Sequence, residues 1–209
     1  MARRKTFLKE EILKSSFEFA KKNGLECMTA RRISKHMNAS TIIIYSNFSD
    51  LETLKKEMVT KSFELLKQYV QEPYTERELF NLGIGFVFFA REYPNLFNDL
   101  FVYKTRYKEL FEELHVEFVK RFKKDKTFET LTEKKLKEVG EILRIIHFGL
   151  ASLISVGQFE GMEKDAIVKI LEKLVFPTVQ EFVVKEGRTA KDTKTAKDTK
   201  AVKDTKKKK

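Results

Sequence analysis

The sequence predicts an all-α protein, and three observations carry that expectation. Apolar residues recur at three- and four-residue spacings along most of the chain, while no window alternates with a convincing strand period. Breakers are scarce, with 8 Gly and 3 Pro in 209 residues. Leu, Ile, Phe, Glu and Lys are abundant, and 42% hydrophobic content with 19 Phe and 6 Tyr is ample for a core.

The elements follow in order. Ile12, Leu13, Phe17, Phe19 and Ala20 mark a first helix over 6–22, stopped at Asn23-Gly24, where Gly24 suits a left-handed C′ position. Thr29 starts a second helix as N-cap, its hydroxyl accepting from freed amides, with Ile33 and Met37 pointing inward. Asn38 tolerates the left-handed turn that follows. Ser40 caps a short third helix to about Asn47, and Phe48 closes the unit. Ser49 or Asp50 caps a long fourth helix carrying Leu51, Leu54, Met58, Val59, Phe63, Leu66 and Tyr69, which Pro73 ends. Further helices are expected at 75–92, 95–101 and 103–123, then a polar loop over 124–132, then two long helices at 133–157 and 163–186.

Charge divides the chain differently. Residues 1–71 carry 14 Lys and Arg against 8 Asp and Glu, a net of +6. Residues 187–209 carry 10 against 3, a net of +7, and the stretch between them is −2. A basic head on a near-neutral body points to a polyanionic partner. The tail repeats Thr-Ala-Lys-Asp-Thr-Lys at 189–194 and 195–200 and is expected to be disordered, because it has almost no apolar surface to bury. It serves either non-specific attraction to DNA or solubility.

Several function classes find little support. The lone Cys27 excludes an internal disulfide and fits a reducing cytoplasm, the expected location. The longest apolar stretch, Ile142 to Val156, is interrupted by Arg144 and His147 and is too short to span a bilayer. His36, His115 and His147 lack metal-ligand spacing, and no phosphate loop or nucleophile elbow is present. No enzyme, cofactor or metal is expected.

Thr29 to Phe48 has the layout of a helix-turn-helix: a supporting helix, a tight turn, and a short helix able to enter the major groove. Ile12-Leu13, Phe19-Ala20 and Gly24 are similar to the first helix of the TetR (tetracycline-repressor-like) family of regulators. Thr29-Ala30-Arg31-Arg32-Ile33-Ser34-Lys35 resembles that family's second helix, and Ser40 with Ile44-Tyr45-Ser46-Asn47-Phe48 its recognition helix. The resemblance covers about residues 6–66. It implies an N-terminal three-helix helix-turn-helix domain (motif 29–48), joined by the long fourth helix to a helical ligand-binding and dimerisation domain over 75–186.

The resemblance also implies roles. Thr29 and Arg31 face phosphate; Ser40, Thr41, Ile42 and Ile43 lie nearest base edges; Tyr45 and Asn47 contact phosphate or a thymine methyl, and Ser46, also on the DNA-binding face, lies between them. Ile44 and Phe48 face inward. Gly and a polar residue, common in the family, are replaced by Ile42 and Ile43, and Leu51 stands where Lys is common. Lys55 or Lys56 can supply the missing phosphate contact. Ile42-Ile43-Ile44 also admits another reading, as core of a unit that no longer binds DNA.

In the body, Phe86, Phe89, Tyr107, Phe111 and His147 either line a small-molecule effector site or form ordinary core. Gly149, Ser152 and Val156 share one helix face, for a dimer contact between the last two helices and their symmetry mates or for packing within the monomer. The function implied is a homodimeric transcriptional regulator, usually a repressor, on a palindromic double-stranded operator and released by an apolar or amphipathic ligand. The alternative is a dimeric protein-interaction module with little sequence-specific DNA binding.

Overall fold

A computed structural model describes residues 7–103, 112–113, 116, 119–121, 123, 125–129 and 131–184. Among them every regular element is helical and no strand occurs. Tyr107, Phe111, most of the helix expected at 103–123, and the repeat tail over 187–209 lie outside the described residues.

The chain begins with α1 (Lys9–Asn23), α2 (Ala30–His36) and α3 (Ile42–Asn47). The long α4 (Leu51–Gln71) and α5 (Glu78–Glu92) follow. The short α6 (Pro94–Phe97) runs into a π-helical turn, Asn98–Val102. After helical residues at 112–113, 116, 119–121 and 123 and a 3-10 turn at Lys126–Phe128 come α7 (Glu133–Ser155) and a last helix, α8, over 164–184.

Local chemistry explains most boundaries. The Glu11 carboxylate accepts from the Leu8 N–H at 2.8 Å, so α1 starts at Lys9 rather than at residue 6. Thr29, Asp50 and Thr132 each accept the N3 amide of α2, α4 and α7. Residues 75–77 stay out of α5 because Thr75 and Asn81 bond reciprocally, the Thr75 N–H donating to Asn81 Oδ1 at 2.7 Å and Asn81 Nδ2 to the Thr75 carbonyl at 2.9 Å. The segment expected as one helix over 95–101 is split, α6 passing into the π turn at Asn98. The polar loop expected at 124–132 contains two buried apolar anchors, Phe128 and Leu131.

Gly24 corrects one expectation. Its φ of 85° is positive, as glycine readily allows, but its ψ of 164° lies outside the left-handed helical basin. A Cβ there would collide with the Asp99 carboxylate, which reaches in from the π turn.

Helix α5 is the centre of the molecule, with residues 80–90 all buried. It packs between α4 on one side and α7 on the other. Gly85 makes the first approach possible, because a Cβ would strike the α4 backbone at Tyr69 and Val70. Gly83 makes room for the imidazole of His147. One continuous core runs from Ile12 to Val179, and α4 belongs to both its ends. The domain boundary expected at residue 66 therefore falls inside an unbroken helix.

Candidate nucleic-acid interface

The site is built by α1, α2, α3 and the start of α4. Thr29 Oγ1 accepts from the Arg32 N–H at 3.2 Å, which sets where α2 begins. The hydroxyl oxygen spends a lone pair there, so its own proton remains available to a phosphate. The chain leaves α2 through Met37, whose side chain is buried, and Asn38, whose φ of 51° makes the left-handed bend. The Ala39 N–H closes the turn on the Ser34 carbonyl at 2.8 Å. Helix α3 then packs against α2, with Ile33 and Ile44 fully buried and Phe48 nearly so.

This anchoring decides which isoleucines are core. Ile44 is buried, Ile43 half-buried and Ile42 59% exposed, so the three consecutive isoleucines are not one core run. Tyr45, three residues beyond Ile42 and on the same face, is 57% exposed. Ser46, one turn from Ile42, is exposed as well. An outward strip of Ile42, Tyr45 and Ser46 results.

The polar residues around that strip are largely committed to the backbone. The Ile42 N–H donates to Ser40 Oγ at 3.4 Å, although α3 begins one residue later than a Ser40 cap would give, with Thr41 at the N-cap. Ser46 Oγ donates to the Ile43 carbonyl at 3.1 Å. Asn47 Nδ2 donates to the same carbonyl at 2.8 Å and to Ser46 Oγ at 3.3 Å. Asn47 thus closes the end of α3, a role its position in the sequence did not suggest.

Exposed cations stand on the neighbouring α2. Arg31, Arg32 and Lys35 are exposed, with Arg31 and Lys35 one turn apart on a common face. The Arg32 guanidinium lies over the Phe19 ring at 5.5 Å, which holds its stem down while its edge faces water. Lys55, in contrast, is largely covered and reaches Glu52 at 3.8 Å, whereas Lys56 is exposed. Of the two lysines proposed for phosphate, Lys56 has the freer ammonium. Asp50 is held below the usual carboxylate range by the Thr53 N–H and hydroxyl, so it stays ionised at the start of α4.

A polar seam, invisible as a motif, ties this unit to the rest. The Glu26 N–H donates to Asp99 Oδ2 at 3.2 Å, and Asn95 Nδ2 donates to the Lys22 carbonyl at 2.9 Å. Ser155 Oγ, on α7, donates to Asn98 Oδ1 at 2.8 Å. Asn98, Asp99 and Ser155 are buried. The turn before Thr29 is therefore linked through the π turn to the end of α7. Buried polar residues clustered on one turn are the only signal the sequence held for it.

Of the body residues expected to face an effector, the three described ones, Phe86, Phe89 and His147, are packed. Phe86 lies edge-on to Phe97 at 5.4 Å and beside Phe101 at 5.5 Å; Phe89 contacts Tyr69 and Tyr93 at 6.0 and 5.7 Å. His147 keeps some accessible surface, but its ring is packed over Gly83 and donates to the Leu143 carbonyl. Burial lowers its pKa to about 4, so the ring is neutral. A cleft of about 710 Å³ opens elsewhere, between the end of α4 and the start of α5, lined by Val70, Pro73, Glu76, Asn81, Leu82 and Arg121 among others.

Gly149 meets nothing within 4 Å of where a Cβ would stand. Around it on α7, Ile145 is 67% exposed, Leu153 47% and Val156 59%, with Ser152 half-buried between them. Among the described residues nothing packs against Gly149, although Ser152 Oγ on the same face is buried. Among the described residues no group of three or more His, Cys, Asp or Glu is placed to hold a metal ion, and no helix is long and apolar enough to cross a membrane. Comparison with protein-family models finds no match for this chain, and none of the curated proteins matches it.

Proposed function

We propose that the protein is a DNA-binding transcriptional regulator of the TetR-like kind, in which α2 and α3 form a helix-turn-helix and two copies act together. The observation that carries this reading is the outward face of α3: Ile42 and Tyr45 stand exposed on an anchored short helix, and the α2 helix it packs on exposes Arg31, Arg32 and Lys35. A short helix presenting a free face, flanked by cations for phosphate, suits the major groove.

Dimerisation is the second part of the proposal. The apolar strip Ile145, Gly149, Leu153 and Val156 on α7, with exposed Leu174 and Val184 on α8, supports pairing with the same strip of a second copy. Two-fold pairing sets two recognition helices roughly 34 Å apart or a multiple of it, which calls for a palindromic site. A small-molecule effector acting in the aromatic body would shift that spacing. Its candidate surroundings, as the resemblance implies them, are Phe86, Phe89 and His147, together with Tyr107 and Phe111, which lie outside the described residues.

Selection of duplexes from a random DNA pool, read by sequencing, tests the proposal. A palindromic enriched motif is expected. Absence of any enrichment would reject DNA reading and favour a dimeric protein-interaction module.

A further inference from the structure

We infer that α3 selects its DNA by thymine methyl groups, through Ile42 and Tyr45, rather than by hydrogen bonds to base edges. The inference rests on the DNA-binding proposal above and names the chemistry that the site reads.

The argument begins with what α3 has left to offer. Bidentate recognition of guanine needs Arg or Lys, and that of adenine needs the free amide of Asn or Gln. Helix α3 has no Arg, Lys or Gln, and its one Asn, Asn47, already directs its Nδ2 at the Ile43 carbonyl and Ser46 Oγ. Ser46 and Ser40 are engaged with backbone groups at Ile43 and Ile42. Thr41 makes no side-chain cap bond, but one hydroxyl cannot form a bidentate contact. What projects furthest from the helix is the Ile42 side chain and the Tyr45 ring, more than half exposed each.

Of the groups that the base pairs present in the major groove, the C5 methyl of thymine is the apolar one, and it is the partner for such side chains. Ile42 and Tyr45 are three residues apart, about 4.5 Å along the helix axis, which matches one to two base-pair steps. Arg31, Arg32 and Lys35 sit on the other helix, suited to the phosphates on either side. Each half-site is therefore expected to hold thymines at two neighbouring positions, in an A/T-rich setting, with no obligatory guanine under α3.

The experiment starts from the motif enriched in the random pool and replaces its thymines, one at a time, by deoxyuridine. This removes the methyl group and leaves every hydrogen-bonding edge unchanged. Binding is expected to weaken about fourfold at each of two thymines per half-site, the factor corresponding to one buried methylene-sized group. Ile42→Ala, on an exposed site, keeps its far-UV circular dichroism, binds the thymine duplex more weakly and loses the response to uracil at one of those positions. An enriched motif whose uracil and thymine duplexes bind alike overturns methyl readout and leaves DNA binding standing. No enriched motif overturns both.

Discussion

Two helix faces leave large apolar side chains in water, and comparing them shows how similar residues can serve different partners. On α3, Ile42 and Tyr45 form a short exposed strip, and the neighbouring α2 exposes Arg31, Arg32 and Lys35. On α7, Ile145, Leu153 and Val156 surround Gly149, and Arg144, next to Ile145, is paired with Glu141. Hydrophobic area is non-directional, so it does not by itself choose a partner. The charges beside it do. A strip with exposed cations on the neighbouring helix suits a polyanion, and one beside a closed ion pair suits a surface like itself.

The largest expected effect comes from breaking the α7 face. Ile145→Lys with Val156→Lys should give monomers in sedimentation while helicity is retained. Affinity for the palindromic site should then fall by about 100-fold or more, because the second half-site is no longer held at high effective concentration. Dimers of unchanged affinity would remove this face from the assembly and leave the comparison without its second member.

Acid offers a test confined to the body. His147 is kept neutral by burial, with its pKa lowered from 6.5 to about 4. Between those values the unfolded chain takes up a proton that the folded chain refuses. The contribution of this group to stability is complete above about pH 6.5 and falls as the pH drops towards 4, by about 3 kcal/mol in all. Denaturation of wild type and His147→Gln at pH 7 and 4.5 should show the variant losing less of its stability on acidification. Equal losses would mean that the ring is hydrated in the folded state.

The seam between the two faces should matter less for stability than for communication. Asp99→Ala frees the Glu26 N–H, which lies near enough to solvent to be rehydrated, so the cost is expected at about 1 kcal/mol. If the seam carries strain between the α7 face and the α2–α3 unit, the variant should dimerise normally yet bind operator less tightly. Unchanged operator affinity would make Asp99 a purely local tie.

The smallest effect belongs to the cap of α2. Thr29→Ala should cost about 1 kcal/mol or less of stability, largely restored by Thr29→Ser, since either hydroxyl accepts the Arg32 amide. Because the same hydroxyl retains a proton for phosphate, the alanine variant should also show a slightly shallower dependence of log affinity on log salt. A stability loss with an unaltered salt slope would confine Thr29 to capping.

Much of the fold was legible because its determinants are local. The caps at Thr29 and Asp50, the turn at Asn38 and the stop near Pro73 each depend on residues within one turn of themselves, and apolar spacing marked the inward positions Ile12, Ile33, Ile44 and Leu54. The candidate site was legible only in outline. Exposure of Ile42 beside burial of Ile44 depends on how α3 rests on α2, and the engagement of Asn47 with Ile43 depends on where the helix ends. Spacing alone does not report either.

The sequence by itself determined that the chain is helical, where most helices start, and that its net positive charge lies at the two ends, over 1–71 and 187–209. These follow from torsional preference, capping and composition, which act over a few residues. Only the tertiary structure decided that Gly24 opens towards Asp99, that α5 runs between α4 and α7 on Gly85 and Gly83, and that Gly149 faces open space. Those outcomes depend on groups tens of residues apart meeting at van der Waals distance. Close packing permits one arrangement of such volumes, and periodicity along the chain carries no record of which side chain fills which gap.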